Sequence, residues 1–212
     1  MCLLTAWLRP GDVAVDVGAH EGSYTRRFAQ AVGPTGRVIA VEPDPRTAER
    51  WTRMCADLPG ATLRRAAVSD GVGSSVLYQG RTSEQSSLWA SNLAKVETQA
   101  PVETVTLDAL LEGVQPRVVK VDAQGAEVHI LRGAAKTLAT DQLRLMLELW
   151  PAGLHAAGTS VQDFATVLET AGYVVVAEGK EPKARAWAWR DLVTSTESWT
   201  GQQHTNLIVA KG

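Results

Sequence analysis

Cysteine is scarce. Cys2 and Cys55 are the whole supply, too few for a disulfide framework and at no metal-binding spacing, so a reducing, cytoplasmic setting is expected. Long apolar runs are missing too: nothing approaches the roughly 18 residues that a membrane-spanning helix needs. Met1–Leu8 is apolar, but it has no basic stretch before it and no cleavage site, so it does not read as a signal peptide. Nor is there an excess of positive charge. A formal net charge of −2 speaks against a nucleic-acid or membrane-surface binder, which usually presents a basic face. Neither is expected as a partner. Repeats and low-complexity tracts are absent.

What the chain does have is alternation of strand and helix. Its 212 residues suit one α/β domain, residues 1–212, with a sizeable core. Strands are expected at Val13–Asp16, Arg37–Val41, Thr62–Ala67, Arg117–Asp122 and Leu143–Leu149. A helix from Ser23 stops at Gly33. A second opens with Asp44 as cap and Pro45 at its first position. A third spans Ala126–Leu138, and a fourth opens with Ser160 and Asp163 and ends at Gly172. Tyr173–Ala177 and Asn206–Ala210 read as antiparallel partners. The sum is a doubly wound, mostly parallel seven-stranded sheet with a C-terminal antiparallel hairpin. Residues 1–12 form a short cap and residues 178–205 a Trp-rich insertion between the last two strands. There Trp187, Trp189 and Trp199 interleave with Arg185 and Arg190. Inward packing or self-association, as in a homodimer, is preferred for this cluster over an aromatic wall of a pocket.

The stretch VAVDVGAHEG, Val13–Gly22, is the most informative. A buried strand runs into a D-x-G-x-x-x-G turn at Asp16, Gly18 and Gly22. Gly18 permits a tight bend and close approach. A dinucleotide fold wants G-x-G-x-x-G to seat a pyrophosphate, and here position 20 is His and position 16 an acid. Acid-lined walls suit a cationic ligand instead, and the turn resembles the first nucleoside-binding turn of S-adenosylmethionine (SAM) methyltransferases. Ligands in such sheets bind beyond the C-terminal strand ends. Glu42 stands there, placed to accept from both hydroxyls of a ribose. Ser69 and Asp70 fall where an adenine would lie, though a plain turn explains them equally well. Asp122 ends the fourth strand, Glu127 opens the next helix, Glu148 stands near the end of the fifth strand, and His155 is expected in the loop after it. His20 faces the cofactor. His129 is expected on a helix surface and His204 to be structural.

Together these blocks resemble the FkbM family of SAM-dependent methyltransferases. The family's D-x-G-A-[NH]-x-G-x-Y-[TS] is matched by Asp16–Thr25, V-x-A-x-E-P-x-P by Val38–Pro45, A-x-S-D by Ala67–Asp70, and V-x-L-D by Val105–Asp108. The hallmark K-[IV]-D-x-E-G-x-E is matched by Lys120–Glu127, with Gln124 in place of its first glutamate. The resemblance implies a class I, Rossmann-like fold and methyl transfer from SAM to a hydroxyl oxygen of a small molecule such as a natural product or sugar. It implies cofactor contacts from Asp16, Gly18, Ala19, His20, Tyr24, Thr25, Glu42, Pro43, Ser69, Asp70 and Asp122. A hydroxyl acceptor needs a base within hydrogen-bond reach, for which Asp122, Glu127, Glu148 and His155 are candidates. Magnesium held by Asp122, Glu127 and Glu148 is the less favoured route. Residues Ser83–Asn92 are placed to cover the site as a lid. Three rivals remain: an N-methyltransferase on an amine or peptide, a non-catalytic SAM-binding module, and, less favoured, a nucleic-acid base methyltransferase. The last would carry Asn/Asp-Pro-Pro-aromatic where this chain has Asp-Ala-Gln-Gly.

Overall fold

The computed structural model describes residues 3–82, 85–179 and 183–212. In chain order the elements are β1 (Val13–Val17), α1 (Ser23–Val32), β2 (Arg37–Val41), α2 (Pro45–Met54), β3 (Ala61–Arg64), β4 (Ala67–Val68), β5 (Gly73–Gln79), β6 (Ser86–Ser87), β7 (Thr98–Val105), α3 (Leu107–Leu110), β8 (Val118–Val121) and α4 (Glu127–Arg132). They continue with α5 (Ala135–Leu138), β9 (Arg144–Leu149), α6 (Pro151–Ala156), α7 (Val161–Thr170), β10 (Tyr173–Glu178), β11 (Lys183–Trp187), α8 (Trp189–Thr196) and β12 (Thr205–Lys211). A short 3-10 helix, Leu3–Trp7, precedes them.

The main sheet runs β11-β10-β12-β9-β8-β1-β2-β3. Its β9-β8-β1-β2-β3 half is parallel, and β12, β10 and β11 are joined by antiparallel pairings. The central strands are apolar on both faces because helices cover both: β8 is buried at every residue and β9 at all but its first. The order reverses between β1 and β8. That is the switch point of a doubly wound sheet, where strand ends splay and leave a crevice.

Three expectations need correction. The sheet has eight strands rather than seven, because the Trp-rich insertion contributes β11 at the edge. The third predicted strand is two: Ala61–Arg64 stays in the main sheet, while Ala67–Val68 crosses to a second sheet of order β4-β7-β5-β6. The predicted helix Ala126–Leu138 breaks at Gly133, which has no room for a side chain: a Cβ there would lie 2.4 Å from the Ser69 carbonyl. Asp108 then caps the second piece from outside, accepting from the Lys136 and Thr137 amides at 2.8 Å each. The predicted caps of α2 and α7 are present, with Asp44 accepting from the Arg46 amide and Ser160 from the Asp163 amide.

Two of the insertion's tryptophans, Trp187 and Trp189, turn inward. The buried Trp189 donates to the Tyr173 carbonyl at 2.8 Å and stands edge-on to Phe164, and Trp187 donates to Glu178. The Arg185 side chain lies outside the described residues. Near the N-terminus, Trp7 packs on the lower core under the Arg144 guanidinium.

Candidate active site

The turn after β1 is built against β2 and β8. The Gly18 and Ala19 amides both donate to the Val41 carbonyl at 3.0 Å. Gly18 has φ +69°, and a Cβ on it would lie 1.8 Å from the Asp122 carbonyl oxygen. The glycine is therefore required by the neighbouring strand end as well as by the bend. His20 follows with a left-handed φ of 51°, which aims its amide at Glu42.

Glu42 is almost fully buried. Its Oε2 accepts from the His20 amide and its Oε1 from the Asp44 amide, both at 2.9 Å. Burial pushes its pKa up to about 7 against those two hydrogen bonds. Each oxygen retains a further lone pair. Asp44, the α2 cap, is also buried. Burial raises its pKa, but hydrogen bonds from Arg46 and Ser86 outweigh it and bring it to about 2.

Asp16 and Lys120 are register partners across the switch point. Thr25 Oγ1 donates to Asp16 Oδ2 at 2.7 Å, and Trp51 Nε1 donates to Thr25 Oγ1 at 3.0 Å. Lys120 Nζ lies 3.4 Å from Asp16 Oδ1, 3.5 Å from Asp122 Oδ2, and donates to the Gly18 carbonyl at 2.8 Å.

Above this floor is a cavity of about 300 Å³. Gly18, Ala19, His20 and Tyr24 line one side, Glu42 and Pro43 another, Lys120, Asp122 and Gln124 a third. The second sheet closes it with Ala67, Val68, Leu77 and Ser86–Leu88. The closing segment is tied down at both ends. Ser86 Oγ donates to Asp44 Oδ2 at 2.7 Å, and Asn92 Nδ2 to the Gln124 carbonyl at 2.7 Å. The expected cover Ser83–Asn92 is thus a wall over its described part; residues 83 and 84 lie outside the described residues.

Of the expected cofactor contacts, Gly18, Ala19, His20, Tyr24, Glu42, Pro43 and Asp122 line this cavity. Asp16 and Thr25 do not; they lie beneath the floor, fully buried. Ser69 and Asp70 border a separate hollow, where Asp70 pairs with His129 at 2.9 Å and is held below its ordinary pKa by that contact. His129 is accordingly no idle surface residue: its other ring nitrogen faces the Ala157 carbonyl, and its ring stacks on Trp89.

The catalytic candidates separate in the same way. Asp122 lines the cavity with a partly exposed side chain. Glu127 is buried and accepts from the Ala123 amide at 2.9 Å, tying down its own turn. Burial pushes its pKa up to about 7. Glu148 is buried beside the cavity, driven upward in pKa by burial and then by the charges of Asp122 and Glu127. His155 is exposed on α6, a helix rather than the expected loop, and does not line the cavity. His204, expected to be structural, has Nε2 3.9 Å from Glu148 Oε1. Among the described residues no three His, Cys, Asp or Glu side chains form a metal-holding group. Glu127 commits one carboxylate oxygen to its own backbone, while its Oε2 and the Oε2 of Glu148 are buried without a hydrogen-bond partner among those residues.

Lys120 and the apolar wall from the second sheet are the parts sequence reading left out of the site. An apolar flank on each side of Lys120 was the available signal, because a cation inside a buried strand must meet partners.

The buried carboxyls have a consequence for stability. Glu42 and Glu127 rise from 4.5 to about 7 on folding, so across that window the folded state holds protons that the unfolded state releases. Their favourable contribution is complete below about 4.5 and lost as pH rises through about 7. The thermal midpoint of the ligand-free protein is expected to fall between about pH 5 and pH 8. Glu127→Gln should remove part of that slope; an unchanged slope would contradict the assignment.

A parallel crevice sheet with a glycine turn after β1 and an acid after β2 is a nucleoside-binding α/β arrangement, and solved methyltransferases share the fold. Aeropyrum pernix fibrillarin with natively bound SAM is similar at 10% identity and TM-score 0.53, over 98% of this chain and 69% of that one. An rRNA methylase from Streptococcus thermophilus is similar at 12% identity and TM-score 0.52, over 98% and 91%. Methyltransferase FkbM from Methylobacillus flagellatus KT is similar at 14% identity and TM-score 0.51 over 78% of this chain, which spans only 43% of that one. The chain belongs to the FkbM methyltransferase family: the model described as "Methyltransferase FkbM domain" matches residues 16–175. A search of curated protein sequences finds no match.

These relatives correct one expectation. Nucleic acid was excluded as a partner on charge balance, yet rRNA methylases are among the structures that share this fold. Net charge sums over the whole surface and does not describe the rim of one cavity, so the exclusion is withdrawn. Among the described residues no helix is long and apolar enough to cross a membrane.

Proposed function

We propose that the cavity binds SAM and that the protein transfers its methyl group to a hydroxyl oxygen. Glu42 supports the cofactor half: each carboxylate oxygen is fixed by one backbone amide and has a lone pair left for a ribose hydroxyl. The apolar wall of Ala67, Val68 and Leu77 suits a flat base. Two carboxylates, Asp16 and Asp122, against the single cation Lys120 favour a ligand end carrying positive charge. When bound, SAM supplies an electrophilic methyl on a sulfonium.

The observation that carries the acceptor half is Asp122. Of the four catalytic candidates it alone lines the cavity, at the C-terminal end of β8 where the switch point opens. It is assigned to take the hydroxyl proton, and Lys120 keeps it oriented. The test is transfer of labelled methyl from SAM to a panel of polyols, glycosides and short RNAs, with amines beside them. Hydroxyl methylation whose turnover at saturating SAM Asp122→Asn slows by about a hundredfold or more, well beyond its loss of S-adenosylhomocysteine affinity, supports the assignment. Methylation of the amines alone would replace it with N-transfer.

A further inference from the structure

Among the described residues Lys120 is the one lysine or arginine lining the cavity, and the hydroxyl-transfer reading uses it only to orient Asp122. It is 3% exposed. Its ammonium meets the Gly18 carbonyl at 2.8 Å and the Val17 carbonyl at 3.4 Å, stands between Asp16 and Asp122 at 3.4 and 3.5 Å, and lies 5.3 Å from the centre of the Tyr24 ring. Burial alone would lower its pKa, but Asp122 and then Asp16 reverse that and hold it at about 12. The lysine is therefore a permanent charge.

A lysine pairing only with Asp16 would need none of the other contacts. Instead the ammonium bridges the two sides of the switch point, the turn after β1 and the end of β8. These are the strand ends that Gly18 allows to touch. The Gly18 carbonyl has two lone pairs, and Lys120 uses one. The other remains for a ligand, and the charges around it sum to one net negative.

We propose that Lys120 is the positioning residue for the amino-acid end of the cofactor: it fixes the Gly18 carbonyl so that the ligand's ammonium group can bond to it beside Asp122. The adenosine end is held by Glu42 and the apolar wall; Lys120 bears on it only by lowering the Glu42 pKa through its charge, so both probes are compared at about pH 9, where Glu42 is ionised. The proposal rests on the SAM reading and adds to it which residue makes the site select a nucleoside that carries an amino acid.

Two probes separate these ends. S-adenosylhomocysteine has both; 5′-methylthioadenosine has only the nucleoside. By calorimetry, Lys120→Met should weaken S-adenosylhomocysteine by about tenfold or more, because a Gly18 carbonyl no longer held in place loses its bond to the ligand's ammonium. It should leave 5′-methylthioadenosine within about twofold. If both ligands weaken in step, Lys120 is only structural and the proposal fails; it fails equally if neither changes. Should Lys120→Met not fold, Asp16→Asn with Lys120→Met removes the fully buried pair and leaves only the partly exposed Asp122, which water can solvate, and the same ratio decides. A folded wild-type protein that binds neither probe would overturn the SAM reading itself, and the assignment with it.

Discussion

Gly18→Ala is expected to destabilise the protein by roughly 3 kcal/mol or more and to abolish cofactor binding. A left-handed backbone costs an alanine about 1–2 kcal/mol, and overpacking a core adds about 1–3 kcal/mol. The clash here is against backbone, 1.8 Å from the Asp122 carbonyl oxygen, and no side-chain rotation relieves it. The turn after β1 must move away from β8, and that opens the floor on which Lys120 sits. Gly71→Ala is the control, because nothing lies within 4 Å of its added Cβ. Denaturant midpoints for the two variants should differ widely. Equal midpoints would show that the two strand ends are not in contact in solution.

Glu42→Gln should weaken S-adenosylhomocysteine by about a hundredfold, equivalent to losing roughly 3 kcal/mol from two hydrogen bonds to a charged acceptor. The substitution is nearly isosteric yet chemically wrong. Backbone amides approach both carboxylate oxygens at 2.9 Å, so the new NH2 group must face one donor with another. The wild-type protein should also bind more tightly as pH rises through about 7, where Glu42 ionises and both oxygens become acceptors. The sign is opposite to that for the stability of the ligand-free protein, which falls over the same window because burying the charged carboxylate is unfavourable. Ligand should therefore raise the thermal midpoint more at pH 8 than at pH 6. Glu42→Gln should abolish that difference; a variant that keeps it would move the pH response to another group.

Much of this was legible in the sequence because it is local. The glycine turn, Glu42 at a strand end, and the caps at Asp44 and Ser160 each depend on a few neighbouring residues, and each is present; the final antiparallel pair is present too, its two strands each marked by a local apolar run. What was misread depends on distant partners. Ala67–Val68 left the main sheet because Val105 and Thr104 pair with it. Gly133 broke a helix because Ser69 presses on it. Glu127 is not on the cavity wall with Asp122, and an amide four residues back holds one of its two oxygens. Asp70 and His129 are 59 residues apart, and no spacing rule joins them. The same holds for Lys120, whose four acceptors come from both sides of a switch point that exists only once the sheet is assembled.

The measurement that bears most directly on the central claim is a calorimetric titration of the wild-type protein with S-adenosylhomocysteine, with NAD alongside. Micromolar binding of the former and none of the latter is the predicted result. A well-folded protein that takes NAD and refuses S-adenosylhomocysteine would contradict the account.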